Sequence, residues 1–142
     1  MAGTREDKSG AVLVERLTGA GYEVVDRRAV ADGTENVTHA LRELTGGFSG
    51  LVVTTGGTGF APRDLTPEGT RAVLDREAPG LAEAMRLVSP KGRLSRGVAG
   101  TAGRAIVLNT PGSQAGAIEC LEAVLDVLPH ALALLAEEPT EH

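Results

Sequence analysis

Aromatic side chains are nearly absent from this sequence: they make up 2% of its 142 residues, and there is no tryptophan. The chain therefore lacks the rings on which proteins stack the bases of single-stranded nucleic acid. A formal net charge of -5 also argues against non-specific binding to nucleic acid or to an anionic membrane. We expect neither of these partners.

Cysteine and long apolar runs are scarce as well. Cys120 is the only cysteine, so no intrachain disulfide can form and the chain suits a reducing compartment. No apolar run approaches the length of a membrane span, and the polar residues after Met1 do not form a signal sequence. These absences predict a cytoplasmic protein, and the length predicts a single domain over residues 1–142.

Acidic residues are missing from one long segment. No aspartate or glutamate occurs between Glu83 and Glu119, whereas this segment contains Arg86, Lys91, Arg93, Arg96 and Arg104. Such a segment is either a chance run on a solvated surface or a local positive field for a polyanionic ligand. Composition alone leaves both interpretations open.

Glycine is plentiful, and the apolar residues between the glycines alternate between helical and strand spacing. This alternation is typical of an α/β domain with a largely parallel sheet. The last two predicted strands are close enough to form a hairpin, which would make the sheet mixed at one edge. The predicted strands are 22–25, 51–53, 98–101 and 105–108; helices are predicted at 10–17 (after a Ser9 cap), around 37–44, and after Thr66, Pro79 and Ser113.

A glycine-rich segment follows the most apolar predicted strand. Gly56, Gly57 and Gly59 can adopt positive φ and bring backbone N–H groups close to a ligand oxygen. In open α/β sheets, ligands bind at the carboxyl ends of the strands, where this segment begins. We therefore predict a phosphate-binding loop. Its candidate ligand-binding residues are Thr55, Gly56, Gly57, Thr58, Gly59, Arg63, Thr66, Pro67 and Glu68.

Two predicted helix starts belong to the same hypothesis. Thr66 can cap a helix that has Pro67 at its first position and Glu68 near the positive end of its dipole, although capping is then a sufficient role for Thr66. Ser113 opens a second helix directly after a Pro-Gly turn and also suits an anion. The glycine segment matches neither a P-loop nor the dinucleotide-binding turn.

Two aspartates lie near these segments. On sequence alone, Asp64 is either a helix-start residue or a carboxylate for Mg²⁺, and Asp32 is simply part of an Asp-Gly turn. The three histidines form neither a catalytic triad nor a metal spacing with Cys120, so we assign them no chemistry.

The combination of these motifs resembles the molybdenum cofactor biosynthesis family that includes bacterial molybdopterin adenylyltransferases, their MoaB-type relatives and the G domain of gephyrin. The likeness extends over nearly the whole chain, from Ala2-Gly3 and the 7–10 segment through the glycine loop and 94–96 to the Asn-Thr-Pro-Gly turn. It implies a three-layer α/β/α domain that assembles as a homotrimer. It also implies the transfer of AMP from Mg-ATP to the terminal phosphate of molybdopterin, with release of pyrophosphate.

The resemblance also implies residue roles. Asp32 and Asp64 match the two aspartates that the family uses in catalysis, and both are candidate Mg²⁺ ligands. The residues that match segments lining the pterin or nucleotide pocket are Ser95, Arg96, Asn109, Pro111, Gly112 and Ser113. The alternative function is a MoaB-like protein that binds molybdopterin or a nucleotide without turnover. A role as a trimeric assembly domain is less favoured, because the chain has no linker.

The sequence departs from the family pattern at its beginning. Family members start with a hydrophobic strand that ends in a Ser-Asp-Arg-type turn, just before the segment matched by Ala2-Gly3. This sequence starts at Met1, so we expect that first strand to be missing and the edges of its neighbours to be exposed. A smaller departure is Gly69, which stands at a helix position where alanine is favoured.

Overall fold

The computed structural model describes residues 8–138. Helices cover both faces of a mixed four-stranded sheet with the strand order β1-β4-β3-β2. No helix in this range is long and apolar enough to cross a membrane. The helices are α1 Lys8–Gly19, α2 Thr34–Thr45, α3 Thr66–Arg71, α4 Pro79–Arg86, α5 Gln114–Glu122 and α6 Leu128–Leu135; the strands are β1 Gly50–Thr55, β2 Arg76–Glu77, β3 Ala99–Ala102 and β4 Ala105–Thr110; a 3₁₀ helix spans Pro90–Leu94.

The sheet contains both types of strand pairing. β1 pairs with β4 in parallel, from Gly50 opposite Ala105 to Thr55 opposite Thr110, so both strands end at one edge of the sheet. β3 and β4 form the predicted antiparallel hairpin around a two-residue turn, in which Gly103 has a φ of 60°. The α/β class, the three layers and the mixed sheet are therefore confirmed.

The predicted strand at 22–25 is not formed, and this prediction was wrong. A strand exists only where a neighbour supplies its hydrogen bonds, and no described strand pairs with this segment. Its Val25 side chain is 67% exposed. The parallel part of the sheet is consequently smaller than predicted: β1 and β4 form the one parallel pair among the described strands, and β1 is an edge strand within residues 8–138. The segments matched at 2–3 and at residue 7 lie outside the described residues.

The core is divided by the sheet into two layers. Successive side chains of a strand point to opposite faces, so Ile106 and Leu108 pack under α1, α4, α5 and α6, whereas Val107 faces α2. All six residues of β4 are buried. This strand is the centre of the fold, and its carboxyl end fixes the position of the turn that follows.

Two predicted helix caps have different outcomes. The Ser113 hydroxyl accepts a hydrogen bond from the Gly116 N–H at 3.1 Å, as expected for the N-cap of α5. Thr66 is not a cap, because Leu65 occupies the N-cap position of α3 and makes no side-chain capping bond. Pro67 does lie in the first turn, as predicted.

Helices α2 and α3 cross at Gly69, which explains the glycine in a helix. A Cβ at this position would lie 2.6 Å from Val37 Cβ and 2.9 Å from the Thr34 carbonyl oxygen. The Thr38 hydroxyl donates to the Gly69 carbonyl oxygen at 2.9 Å. The close contact brings the first turn of α2, and with it the Asp32 loop, beside α3.

Replacing Gly69 with alanine should therefore lower the free energy of unfolding by about 1–3 kcal/mol, because the added methyl group overpacks the helix contact. Gly80→Ala is the matched control, since Gly80 is exposed in α4 and a methyl group added there would have no atom within 4 Å. Urea unfolding followed by circular dichroism compares the two variants. A Gly69→Ala protein as stable as the control would contradict the tight crossing.

Candidate functional site

The glycine loop follows β1 and is shaped by two residues with positive φ. Gly56 and Gly57 have φ values of 90° and 69°. The Gly56 N–H donates to the Thr110 carbonyl oxygen at 2.9 Å, and the Thr66 N–H donates to the Gly57 carbonyl oxygen at 3.1 Å. A Cβ on Gly57 would lie 2.1 Å from Thr66 Oγ1. Both the backbone angle and the available space therefore require glycine at position 57.

The loop lies against the Pro-Gly turn that follows β4. A Cβ on Gly112 would be 3.4 Å from Gly56 Cα. The Thr55 hydroxyl donates to the Pro111 carbonyl oxygen at 2.9 Å, and the Ser9 hydroxyl donates to the Gly112 carbonyl oxygen. Ser9 thus lies inside α1 and holds this turn, instead of capping the helix as predicted. Two segments predicted to bind anions are in contact at one edge of the sheet.

Asp64 lies directly beneath the loop. Its Oδ2 accepts a hydrogen bond from the Ala61 N–H at 2.9 Å, and a Cβ on Gly59 would lie 2.9 Å from the same oxygen. The carboxylate is half-buried and accepts no other hydrogen bond from residues 8–138. Arg63 is exposed and makes no hydrogen bond or ion pair within that range. Both side chains can therefore contact a ligand without breaking a protein contact.

Asp32 lies on an exposed loop just before α2. Its carbonyl oxygen accepts a hydrogen bond from Asn36 Nδ2 at 2.9 Å, and its carboxylate has no protein partner among the described residues. It shares no hydrogen-bonding partner with Asp64 among the described residues. The described part of the chain contains no group of three or more His, Cys, Asp or Glu side chains able to hold a metal ion.

Arg96 and Glu68, both predicted to bind substrate, bind each other. Arg96 Nη1 donates to Glu68 Oε2 at 2.6 Å, and Nη2 lies 3.4 Å from Oε1. The hydrogen bond from Arg96 holds the pKa of Glu68 below its usual value, because the guanidinium stabilises the ionised carboxylate. The same guanidinium donates to the carbonyl oxygens of Gly59 and Asp64.

Asn109 is buried and its side chain is fully engaged inside the protein. It is 3% exposed. Its Oδ1 accepts from the Val98 N–H at 3.1 Å, and Nδ2 donates to Thr54 Oγ1 at 2.9 Å and to Thr70 Oγ1 at 3.0 Å. The role of Asn109 that the structure shows is to join β1, α3 and β4. Neither Thr54 nor Thr70 was among the predicted site residues, because no sequence motif distinguishes either hydroxyl.

A cavity of about 430 Å³ opens beside the Pro-Gly turn, between α4, the 3₁₀ helix and the start of α5. Ser95, Asn109, Pro111 and Ser113 line it, as do residues that the sequence analysis did not assign to a pocket, among them Arg86, Lys91 and Cys120. Neither aspartate nor the glycine loop lines this cavity. The candidate site therefore has two adjoining parts, which meet at the 111–113 turn: Pro111 and Ser113 line the cavity, and Gly112 contacts the loop at Gly56.

The basic segment has more than one role. Arg86 and Lys91 line the cavity, and Arg86 Nη1 also donates to the Gly97 carbonyl oxygen at 2.8 Å. Arg104 lies in the hairpin turn and pairs with Glu137 at 3.5 Å. Only part of the segment can thus act on a ligand.

Cys120 is buried, as expected, and burial raises the pKa of its thiol.

The sequence of this chain is similar to those of known proteins, and these belong to one family. A family model described as a probable molybdopterin binding domain matches residues 1–130. The chain belongs to this family. The resemblance predicted from the sequence motifs is therefore confirmed.

Solved and curated members of the molybdopterin binding domain family are similar over most of the chain. The crystal structure of the molybdopterin biosynthesis enzyme MoaB from Thermus thermophilus is 50% identical, with a TM-score of 0.89 over 98% of this chain and 91% of that one. The molybdopterin adenylyltransferase of Escherichia coli K12 is 41% identical over 133 residues, which cover 88% of this chain and 68% of the enzyme.

A longer relative contains the family domain as one part. The Drosophila melanogaster molybdenum cofactor synthesis protein cinnamon is 38% identical over 140 residues, which cover 94% of this chain and 23% of cinnamon. The chain thus spans about a quarter of that relative.

Gly57→Ala should cost stability and weaken ligand binding, because the methyl group strains the backbone and forces Thr66 to move. Gly47→Ala is the control: Gly47 has nearly the same φ, 67°, but open space where its methyl group would lie. Backbone strain of about 1–2 kcal/mol applies to both. The family resemblance implies Mg-ATP as the ligand of this loop, and calorimetry with Mg-ATP should show weaker binding for Gly57→Ala alone. Equal binding by the two variants would contradict a ligand role for the loop.

Proposed function

We propose that this protein is a molybdopterin adenylyltransferase of molybdenum cofactor biosynthesis. In the proposed reaction, a terminal phosphate oxygen of molybdopterin attacks the α-phosphorus of ATP. A new phosphorus–oxygen bond forms, the bond from that phosphorus to the bridging oxygen of the β-phosphate breaks, and pyrophosphate leaves. Family membership and the names of the E. coli and T. thermophilus relatives support this function.

One observation carries the proposal: the contact between the glycine loop and the Pro-Gly turn, at Gly56 and Gly112. Two phosphate-bearing substrates have to meet for adenylyl transfer, and each needs donors from the protein. The loop offers backbone N–H groups and Arg63 to the triphosphate. The start of α5 and the neighbouring cavity offer Ser113 and Lys91 to the pterin and its phosphate.

Asp64 is the proposed principal ligand for Mg²⁺, with Asp32 as a second carboxylate. Mg²⁺ at nucleotide sites is held by one or two carboxylates together with phosphate oxygens and water. The Asp64 carboxylate fits this role because it accepts a single protein hydrogen bond and keeps further acceptor capacity. The bound ion would neutralise charge that develops on the phosphate oxygens. The attacking oxygen belongs to the substrate, so the protein needs no nucleophile of its own.

Asp64→Asn should reduce pyrophosphate release about a hundredfold or more, a loss typical of removing a charge-stabilising group. Asparagine keeps an oxygen for the Ala61 N–H, so the loop geometry is preserved while the charge is lost. Asp126→Asn is the control, because Asp126 is exposed and follows the carboxyl end of α5, whereas the candidate site lies at the amino end of that helix. Purified protein is incubated with molybdopterin and Mg-ATP, and pyrophosphate is measured. Activity like that of the wild type in Asp64→Asn would refute the assigned role.

The same assay distinguishes the alternative, in which the protein binds molybdopterin or a nucleotide without turnover. That function predicts measurable binding of both ligands and no pyrophosphate above the level without protein.

We also propose that residues 1–142 form one functional domain and that the protein works in the cytoplasm. Neither the domain boundaries nor the location alters the proposed reaction.

The homotrimer implied by the family resemblance is also a proposal. Phe60, Leu87 and Leu94 are 72%, 76% and 62% exposed in the single chain and offer apolar surface for subunit contacts. Sedimentation at micromolar concentration should therefore give one species with the mass of three 14.6 kDa chains. A monomer under these conditions would contradict the assembly and leave the catalytic proposal to the pyrophosphate assay.

A further inference from the structure

We propose that Arg96 is a positioning residue that fixes the shape of the glycine loop and does not itself bind the phosphates of the nucleotide. The inference deepens the proposed function and rests on it. The family resemblance assigned Arg96 to the pocket lining, where a cation beside a phosphate is the expected role. Its contacts in the structure are those of a clamp on the protein.

The contacts of Arg96 are concentrated on one loop. Its backbone N–H donates to the Thr58 carbonyl oxygen at 2.8 Å. Its Nε donates to the Gly59 carbonyl oxygen at 2.8 Å, and Nη2 donates to the Asp64 carbonyl oxygen. Glu68 accepts the remaining bonds from Nη1 and Nη2. Of the five N–H bonds of the guanidinium, four are therefore already used within the protein.

These contacts also orient the loop amides. In a trans peptide group the C=O and the following N–H point in opposite directions. Because the carbonyl oxygens of residues 58, 59 and 64 face Arg96, the N–H groups of Gly59, Phe60 and Leu65 face away from it. These three N–H groups donate no hydrogen bond to any described residue. Arg96 thus turns three unpaired donors towards the opposite side of the loop, where an anion can accept from them.

Glu68 completes the clamp by holding the guanidinium plane. About a third of each side chain is exposed, 33% for Arg96 and 39% for Glu68. Lysine could not replace Arg96, because an ammonium group is a point charge and cannot span two carbonyl oxygens and a carboxylate at once. Arg96→Lys therefore removes the clamp and keeps the positive charge. It separates positioning from simple electrostatic attraction.

Hydrogen exchange measures the clamp without any ligand. The amides of Ala61, Asp64 and Thr66 are protected by hydrogen bonds within or across the loop. In Arg96→Lys they should exchange at least about tenfold faster, because the loop opens locally more often. The control is Arg104→Lys, at the hairpin turn, where these amides should exchange as in the wild type. Unchanged amides of β4 confirm that Arg96→Lys is folded.

The binding of Mg-ATP to Glu68→Gln then distinguishes a clamp from a phosphate ligand. If Arg96 positions the loop, loss of its carboxylate partner loosens the loop, and binding weakens by about tenfold or more. If Arg96 binds phosphate directly, Glu68→Gln removes a competing anion and binding becomes tighter. Tighter binding by Glu68→Gln would overturn the proposal. Weaker binding by Arg96→Lys without faster exchange of the loop amides would overturn it as well.

The experiments distinguish a failure of the proposed function from a failure of the proposed role of Arg96. A wild-type protein that binds Mg-ATP but releases no pyrophosphate refutes adenylyl transfer, and the exchange and binding measurements still decide the role of Arg96. If the wild type does not bind Mg-ATP either, the exchange measurement alone decides. Loop amides in Arg96→Lys that exchange at the wild-type rate would then refute the clamp.

Discussion

The close approach of two backbones, at Gly56 and Gly112, is the constraint on which the candidate site depends. A Cβ on Gly112 would lie 3.4 Å from Gly56 Cα, at the short end of ordinary van der Waals contact. The parallel pairing of β1 with β4 brings the two glycines together, because both strands end at the same edge of the sheet. The hydrogen bond from Thr55 then holds the turn beside the end of β1, and the bond from Ser9 ties the turn to α1. At position 56 the φ of 90° itself favours glycine, so the backbone angle and the contact together fix this part of the site.

Most polar side chains of this region bind the protein itself. The Asn109 amide bonds to Val98, Thr54 and Thr70, and most of the Arg96 guanidinium is bound to the loop. Buried polar groups are costly unless they are paired, so such a network specifies one arrangement of the backbone. Around the glycine loop, the polar groups without a protein partner among the described residues include backbone N–H groups and the exposed Arg63, and the Asp64 carboxylate keeps spare acceptor capacity. The site is therefore a preorganised backbone surface supported by side chains.

The sequence correctly predicted several elements that depend on local residues, and it failed at 22–25 and at Ser9, where a distant partner decides the structure. The glycine loop, the hairpin and the Ser113 cap follow from turn chemistry and apolar spacing, and all three are present. The segment 22–25 has strand-forming residues but no described neighbour to pair with. Gly69 is unfavourable in a helix by propensity alone, and only its contact with Val37 explains it. Motif matching grouped Arg96 with ligand-binding residues, because a sequence does not show which acceptors surround a guanidinium.

The hydrogen bond between Thr54 and Asn109 joins residues that are 55 positions apart in the chain. Closing so long a loop is entropically unfavourable until the contacts of β4 with its neighbours offset it, and non-local parallel pairing is intrinsically slow to form. The two halves of the site thus come from distant parts of the chain and exist only after the central pairing is complete. A nascent polypeptide that ends before β4 has the loop sequence but lacks the strand that positions it, so the two halves of the candidate site can meet only after β4 has been synthesised.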